Sequence, residues 1–476
     1  MAALLTLTSL LLSVALLLVG HGMQLTLLPL RAAALGHSDL QIALGGSAYF
    51  LGFIAGCLVV PRLIARAGHI RSFAVLASAM TSVLLVLGLS DDWWIWAGLR
   101  FAIGFFICGL YSVIESWLND QATEENRGQV LSIYTFLVLI SMALGQQLIN
   151  ASPIASSTPF MVLAAIIALS TIPVSMTRKL APAPIESTRT RIRLLLSRSP
   201  LAVTGALLSG AVTGAFWTLG AVFARRSLDS LSETTLFMSA AIFGGALLQY
   251  PFGWLSDRVG RQNTMLLLVC LAALSSASVA LATTTEMLLG AIFFFGATTM
   301  PIYSMALATA ADNSLRHEFV EVGTSVLLLN AVGAVLAPLA LGQLMEMGDP
   351  SWLFWGCSGL SVLAALVVLG QRGRTATVDD VVPFSAAASD MAPTSFDMDP
   401  RAPEDAEGDL APAEETLSVL DSLDESSAQE PQKVDDQPVG IGLRFRDDQA
   451  QDQEESPLSG AAAAPSPSDP KSPDPS

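Results

Sequence analysis

Apolar residues fall along this chain in long, nearly unbroken runs. Twelve runs lie at roughly 4–30, 40–60, 72–90, 93–118, 129–150, 159–177, 200–223, 235–256, 263–283, 287–309, 321–345 and 352–370. A helix of about 20 apolar residues crosses the ~30 Å hydrocarbon core of a bilayer, so each run is long enough to span it. The connections are short and hold most of the charge of this region. Strands of a membrane barrel would instead alternate over ~10 residues. The pattern therefore predicts an all-α integral membrane protein with twelve transmembrane helices. The triplet Ala32-Ala33-Ala34 resembles a leader cleavage site, but no Lys or Arg precedes the first run, and Ala2 to Leu30 is too long for a leader core. That run is expected to be a membrane helix.

The longest internal connection, 178–199, divides the twelve runs into six and six. The expected organisation is a six-helix bundle over 1–177, a basic linker over 178–199, a second six-helix bundle over 200–372, and a tail over 373–476. Within the linker, Ile192, Leu195 and Leu196 fit one face of a short helix lying on the membrane. Two six-helix halves in one chain point to a duplicated transporter.

Composition sharpens this division. Of the 476 residues 52% are hydrophobic and only 14% charged, yet the net charge is −17. Residues 1–374 carry +2 and residues 375–476 carry −19, so the acidic excess belongs to the tail. The tail is rich in Pro, Ser, Ala, Asp and Glu, and its apolar content is too low to order it, which predicts disorder. A solvated tail and a docking peptide at Glu415–Leu423 or Val439–Phe445 both fit it. No basic surface is left over for nucleic acid. The cysteines, Cys57, Cys108, Cys270 and Cys357, lie in apolar runs without a CxxC pair, which excludes a disulfide scaffold.

Lys and Arg in the connections set the expected orientation. With the N-terminus cytoplasmic, 15 basic residues fall inside and three, Arg31, Arg225 and Arg226, fall outside. Both termini are then cytoplasmic. Trp93, Trp94 and Trp96 would form an outer interfacial belt.

One connection carries a motif: Gly253-Trp254-Leu255-Ser256-Asp257-Arg258-Val259-Gly260-Arg261. Gly253 suits close helix approach, Gly260 a tight turn, and Asp257 an anion facing a helix N-terminus or an arginine. At an offset of 192 residues the frame recurs as Pro61-Arg62-Leu63-Ile64-Ala65-Arg66-Ala67-Gly68-His69, retaining Leu63, Arg66 and Gly68 and replacing the acid by Ala65. The first copy resembles the G-x-L-x-D-R-x-G-R signature of the major facilitator superfamily. Arg100 followed by Gly104 matches that superfamily's R-x-x-x-G element. Val113-Ile114-Glu115-Ser116, Asn126-Arg127-Gly128, Gly145-Gln146-Gln147-Leu148, Gln249-Tyr250-Pro251-Phe252-Gly253 and Ala337-Pro338 resemble its YcaD-like bacterial branch. The resemblance covers residues 1–372. It implies two pseudo-symmetric six-helix bundles and secondary transport, and names no substrate. By analogy with the superfamily, Asp257 should sit near Arg127–Val130, and Glu318 and Glu321 should lend charge to Arg62–Arg66.

Polar residues inside the runs are the candidates for a solute or coupling pathway. Arg100, Gly104, Cys108, Tyr111 and Glu115 share one stripe of the fourth helix, about 80° wide at 100° per residue. Charges in a membrane helix face a cavity or a partner. Arg100 and Glu115 lie about 22 Å apart along the axis, too far to pair. His21 and Gln24 share a face of the first helix, and Gln146, Gln147 and Asn150 lie in the fifth. Trp217, Gln249, Tyr303 and Asn330 occupy the seventh, eighth, tenth and eleventh. Each also fits plain interhelical hydrogen bonding. Met300-Pro301 marks a kink.

No catalytic or metal-ligand constellation is visible: His37, His69 and His317 fall in connections, without Cys or carboxylate at ligand spacing. No Walker motif is present, and no cofactor is expected. The expectation is a monomeric secondary transporter in a bacterial cytoplasmic membrane. It would move a small solute by alternating access, with protons the favoured coupling ion and efflux the favoured direction. Few formal charges line the expected cavity, favouring an amphipathic or neutral solute over a polyanion. A membrane receptor or scaffold working through its acidic tail is the alternative.

Overall fold

The computed structural model describes residues 2–121, 127–176, 190–315 and 318–371. The acidic tail and most of the linker, about which the sequence raises expectations, lie outside the described residues. All secondary structure among the described residues is helical. In the first half the helices are α1 (Ala2–Ala34), α2 (Asp39–Ala67), α3 (His69–Leu89), α4 (Trp93–Gln121), α5 (Arg127–Leu148), α6 (Thr158–Leu169) and α7 (Thr171–Ser175). After α8 (Ile192–Arg198) follow α9 (Pro200–Ser227), α10 (Leu231–Val259), α11 (Arg261–Leu281), α12 (Thr285–Thr299), α13 (Pro301–Asp312), α14 (Phe319–Met347) and α15 (Trp352–Gly370). Counting α6 with α7 and α12 with α13, twelve spans among the described residues are long and apolar enough to cross a membrane.

Two spans are broken, each beside a proline. Pro301 has no N–H to continue the ladder, so α12 stops at Thr299 and α13 begins at the proline. In the sixth span Pro173, four residues after Leu169, has no N–H for the Leu169 carbonyl, and α6 ends there. There the Ser170 hydroxyl donates to Ile167 O (2.6 Å) and the Thr171 hydroxyl to Ala168 O (2.7 Å). Such back-bonding competes with the main-chain ladder.

The two halves repeat with the 192-residue offset of the motif. Helix α2 and its counterpart α10 are both 29 residues long, and α3 and α11 are both 21. A capping box opens each longer helix, Ser38 with Gln41 and Ser230 with Glu233. Each ends on a glycine at positive φ, Gly68 (81°) and Gly260 (94°), which only glycine adopts cheaply. The repeat extends to packing. Helix α2 crosses α4 where a methyl on Gly52 would strike Phe101 O and one on Gly104 would strike Tyr49 O. Helix α10 crosses α12 where Gly244 meets Phe293 O and Gly296 meets Ala241 O, each position shifted by 192. Small residues of this kind let membrane helices pack backbone to backbone.

The end of the molecule bearing Gly68 and Gly260 is the motif end. Helices α2 and α10 start at the other end, here the opposite end. Helix α8 sits at the motif end against α9 and α14, burying Leu195 within the protein and leaving Leu196 exposed. The expected membrane-facing stripe of Ile192, Leu195 and Leu196 is thus divided between protein and surface. Trp94 is exposed, but Trp96 is only 4% exposed and its indole N–H donates to Ser90 O (2.7 Å). Only part of the expected tryptophan belt therefore faces outward. Nor is His69 in a connection: it opens α3, is buried, and its Nε2 lies 2.9 Å from Ser116 Oγ.

Candidate functional site

The polar stripe of α4 lies inside the first half. The Arg100 guanidinium lies over the Tyr49 ring, 5.1 Å from its centroid, and its Nε donates to Gly45 O at 3.4 Å. Gly104 belongs to the helix crossing rather than to a cavity. Cys108 Sγ is 3.3 Å from Cys57 Sγ on α2, and both thiols are free. Tyr111 meets the edge of the His21 ring at 5.8 Å. The buried Glu115 carboxylate accepts from the Tyr134 hydroxyl on α5 at 3.2 Å.

His21 and Gln24 share a face as expected, and Gln24 Nε2 sits 2.9 Å from His21 Nδ1. Where α1 crosses α5, Gly22 packs on Met142 and Gly145 on Val19, which brings Gln146 to the same level. His21 Nε2, Gln24 Oε1, both polar atoms of the Gln146 side chain and Arg100 Nη1 are buried without a hydrogen-bond partner. The second half differs. Gln249 Nε2 donates to Ser304 Oγ at 2.8 Å, and Asn330 Nδ2 donates to Ala206 O at 3.4 Å. Tyr303 is buried on α13. Buried polar groups of a folded protein are normally paired, so those left open are the ones to connect with a ligand.

Between the halves lies a cavity walled by Tyr49, Phe50 and Phe53 from α2, and by Trp217 and Asn330 from α9 and α14. Toward the opposite end, polar contacts seal the halves together. Arg226 of α9 makes a bidentate pair with Asp39 of α2, both bonds at 2.7 Å, and Asp39 is only 4% exposed. Leu40 N donates to Glu346 at 3.2 Å and Ser47 Oγ to Val335 O at 2.7 Å, both on α14. Gln147 Nε2 donates to Ser239 Oγ at 2.9 Å, joining α5 to α10, and Asn150 Nδ2, in the short helical turn Ile149–Ala151 that follows α5, donates to Thr235 Oγ1 at 2.9 Å. Gln147 is thus an interhalf contact. In the sequence Arg226 stands out only as a loop charge and Asp39 not at all; their signal is an acid at a helix start and a base at a helix end, both at the same expected membrane face.

At the motif end the signature builds a charge cluster. Arg261 Nη1 donates to Asp257 Oδ1 (2.6 Å) and Ser256 Oγ (2.9 Å), and its Nε donates to Asp312 Oδ2 (2.7 Å). Gly253 is buried in α10, and Arg258 stacks on Trp254 at 3.9 Å. Arg66, next to the Gly68 turn, is exposed. The Arg127 side chain, the expected partner of Asp257, lies outside the described residues. Glu318 and Glu321 are not placed as expected. Glu318 accepts from Arg191 Nη1 (2.8 Å) and Arg198 Nη1 (3.1 Å), and Glu321 pairs with Arg191 Nε. The linker arginines, held at the start of α14 by helix α8 and by Arg191 N donating to Ser325 Oγ at 2.8 Å, occupy these acids in place of Arg62 and Arg66.

Comparison with known proteins agrees with this architecture. The family model described as Major Facilitator Superfamily matches residues 10–229 and 202–393. The MFS-type transporter Ent638_1421 of Enterobacter sp. (strain 638) is 29% identical over 365 residues, spanning 74% of this chain and 92% of that protein. The MFS-type transporter YcaD of Escherichia coli O139:H28 is 28% identical over 360 residues, spanning 74% and 91%. In fold, the chain is similar to the nucleoside transporter NupG, with a TM-score of 0.65 at 15% identity, covering 78% of this chain and 99% of that one. It is also similar to a bacterial homologue of the human lysosomal transporter Spinster in an inward-facing, unoccupied conformation, with a TM-score of 0.60 at 13% identity, covering 85% and 99%. The twelve spans, the repeated halves, the signature cluster and the family match together place the chain in the major facilitator superfamily of secondary transporters, in its YcaD-like branch.

Proposed function

We propose that this protein moves a small solute by alternating access, the two halves rocking about the cavity walled by Tyr49, Phe53, Trp217 and Asn330. The observation that carries this reading is the contrast between two kinds of contact. Within each half, glycine crossings lock backbone to backbone at equivalent positions. Between the halves, near the opposite end, Gly342 packs on Ala43 and Gly46 on Thr218, but the polar contacts among the described residues are hydrogen bonds to side chains and one ion pair, which can be exchanged for water. Rigid halves joined by exchangeable contacts suit rocking motion.

In this reading the motif end is cytoplasmic, because the basic connections gather there, and the structure is the state closed toward the outside. Both termini are then cytoplasmic, in a bacterial inner membrane. His21, Gln24, Arg100, Tyr111, Glu115 and Gln146 form the polar side of the pathway in the first half, while Gln249, Tyr303 and Asn330 face them from the second. A proton gradient is the favoured energy source and efflux the favoured direction, with the monomer as the working unit.

The test has two steps. First, a metabolite and drug panel is screened for flux in proteoliposomes, with and without a pH gradient. Second, Ala43→Cys with Gly342→Cys is built in a chain whose native cysteines are serine; a Cβ on Gly342 would start 2.6 Å from Ala43 Cβ, so the helices must part by about 1 Å to reach disulfide spacing. Oxidation should stop flux of the panel's substrate, and reduction should restore it. Flux that persists through complete cross-linking would refute alternating access at this cavity.

A further inference from the structure

Arg100 is a buried cation, 6% exposed, with no carboxylate paired to it among the described residues. Its protein partners are one long bond to Gly45 O and the face of Tyr49, and its Nη1 has no hydrogen-bond partner. A guanidinium taken out of water is costly unless an anion or several acceptors meet it. The arrangement therefore looks incomplete from the protein side alone.

The same side chain lines a second cavity, separate from the one between the halves. This cavity lies within the first half at the opposite end, between α1, α2 and α4, and His37, Gln41, Gly45, Trp93 and Trp96 share its wall with Arg100. No acidic residue lines it. The indole N–H of Trp93 is used by Gln41 O (3.3 Å) and that of Trp96 by Ser90 O (2.7 Å), so both tryptophans offer the cavity apolar ring surface. Its volume of about 20 Å³ admits one water-sized polar group. That is room for a head group, with the rest of the ligand outside.

We propose that this cavity is an anion site, which takes the carboxylate of a small monoanion on Arg100 and holds its apolar body against Trp93 and Trp96. The recognition is that of any carboxylate by a guanidinium, with an aromatic rim adding apolar contact. The phosphate of an anionic lipid presents the same chemistry, so the test separates the two sources.

Full-length protein in phosphatidylcholine nanodiscs is titrated with benzoate, and with benzamide as the neutral match, at constant ionic strength. Tryptophan fluorescence and the thermal midpoint are read together. Benzoate should give a saturable response and benzamide none. Arg100→Lys should bind benzoate at least tenfold more weakly. Because an Arg100 variant risks misfolding, Gly45→Ala is the second probe: its added methyl enters the cavity with Arg100 Cγ 3.9 Å away, an ordinary contact, and leaves the guanidinium in place. It should fold and lose the benzoate response. In nanodiscs containing phosphatidylglycerol, at least tenfold weaker benzoate binding would identify a lipid head group as an occupant, and unchanged binding would assign the site to soluble acids. The proposal is overturned if benzoate gives no saturable response, if benzamide matches it, or if folded Gly45→Ala binds benzoate unchanged. The assay reads binding rather than flux, so its failure leaves the transport reading standing.

Discussion

Removing the Asp39–Arg226 pair should open the end of the molecule that the structure shows closed. The pair makes two bonds of 2.7 Å, with Asp39 4% exposed and the Arg226 side chain 41% exposed. Breaking a fully buried pair costs about 3–5 kcal/mol, and a solvent-exposed pair contributes about 0–1 kcal/mol. This pair lies between those limits, since water already reaches the guanidinium. An intermediate figure of about 2 kcal/mol corresponds to roughly a thirtyfold change in the closed-to-open ratio. Asp39→Asn also loses an anion at the start of α2, worth about 0.3–1 kcal/mol to that helix. Arg226→Gln breaks the same pair without touching α2 and is the cleaner perturbation. The assay is the spin-label distance between exposed Ala34 and Met347 at the opposite end, and between exposed Ala65 and Val259 at the motif end. In both variants the first distance should lengthen and the second shorten. Distance distributions that overlay the parent in both variants would refute the reasoning.

Other outcomes follow from the same geometry. Gly104→Ala and Gly296→Ala should each lose about 1–3 kcal/mol of stability or fail to reach the membrane, because the methyl meets a backbone carbonyl. Gly98→Ala, with open space around it, serves as the control; equal thermal midpoints for all three would contradict the crossing model. Glu318→Gln should destabilise the start of α14 by about 1–3 kcal/mol, since a buried acceptor of two arginines loses its charge. A double-mutant cycle with Arg198→Gln should show positive coupling, and additivity would dismiss the clamp. Oxidising Cys57 to Cys108 joins α2 to α4 within one half and should leave flux intact, in contrast to the interhalf cross-link. Truncation after Pro393, where the family match ends, should preserve folding and flux; loss of monodisperse protein would show that the tail is needed.

The fold was legible because a bilayer imposes a length and a polarity on every span, and a copied motif betrays a copied half. The turns at Gly68 and Gly260 could be anticipated for the same reason. Arg100 stood out as a charge where charge is expensive. Its surroundings did not, because Tyr49 and Gly45 are remote in sequence and reach it only through the α2–α4 crossing. Pairing was the least legible level. Symmetry points Glu318 and Glu321 toward Arg62–Arg66, but α8 holds Arg191 and Arg198 at the start of α14, and these arginines reach the acids first. Trp96 looked like its neighbours Trp93 and Trp94, and only the helical rotation turns it inward.

The 192-residue register also makes the closed end lopsided. Under that shift Asp39 falls on Leu231 and Arg226 on Ala34, so the ion pair has no twin. The seam between α2 and α9 is fastened by charge. The seam between α5 and α10 is fastened by the neutral amides of Gln147 and Asn150 and the hydroxyls of Thr235 and Ser239. Dissolved ions weaken only the first kind, and only in part, because its bonds of 2.7 Å lie well inside the Debye length of about 8 Å at 0.15 M salt and Asp39 is buried. Salt on that face of the membrane would loosen one seam and spare the other, turning a symmetric clam into a door with one hinge. A protein built from two equal halves thereby acquires a sidedness in its opening, and with it a sensitivity to the ionic strength of one compartment.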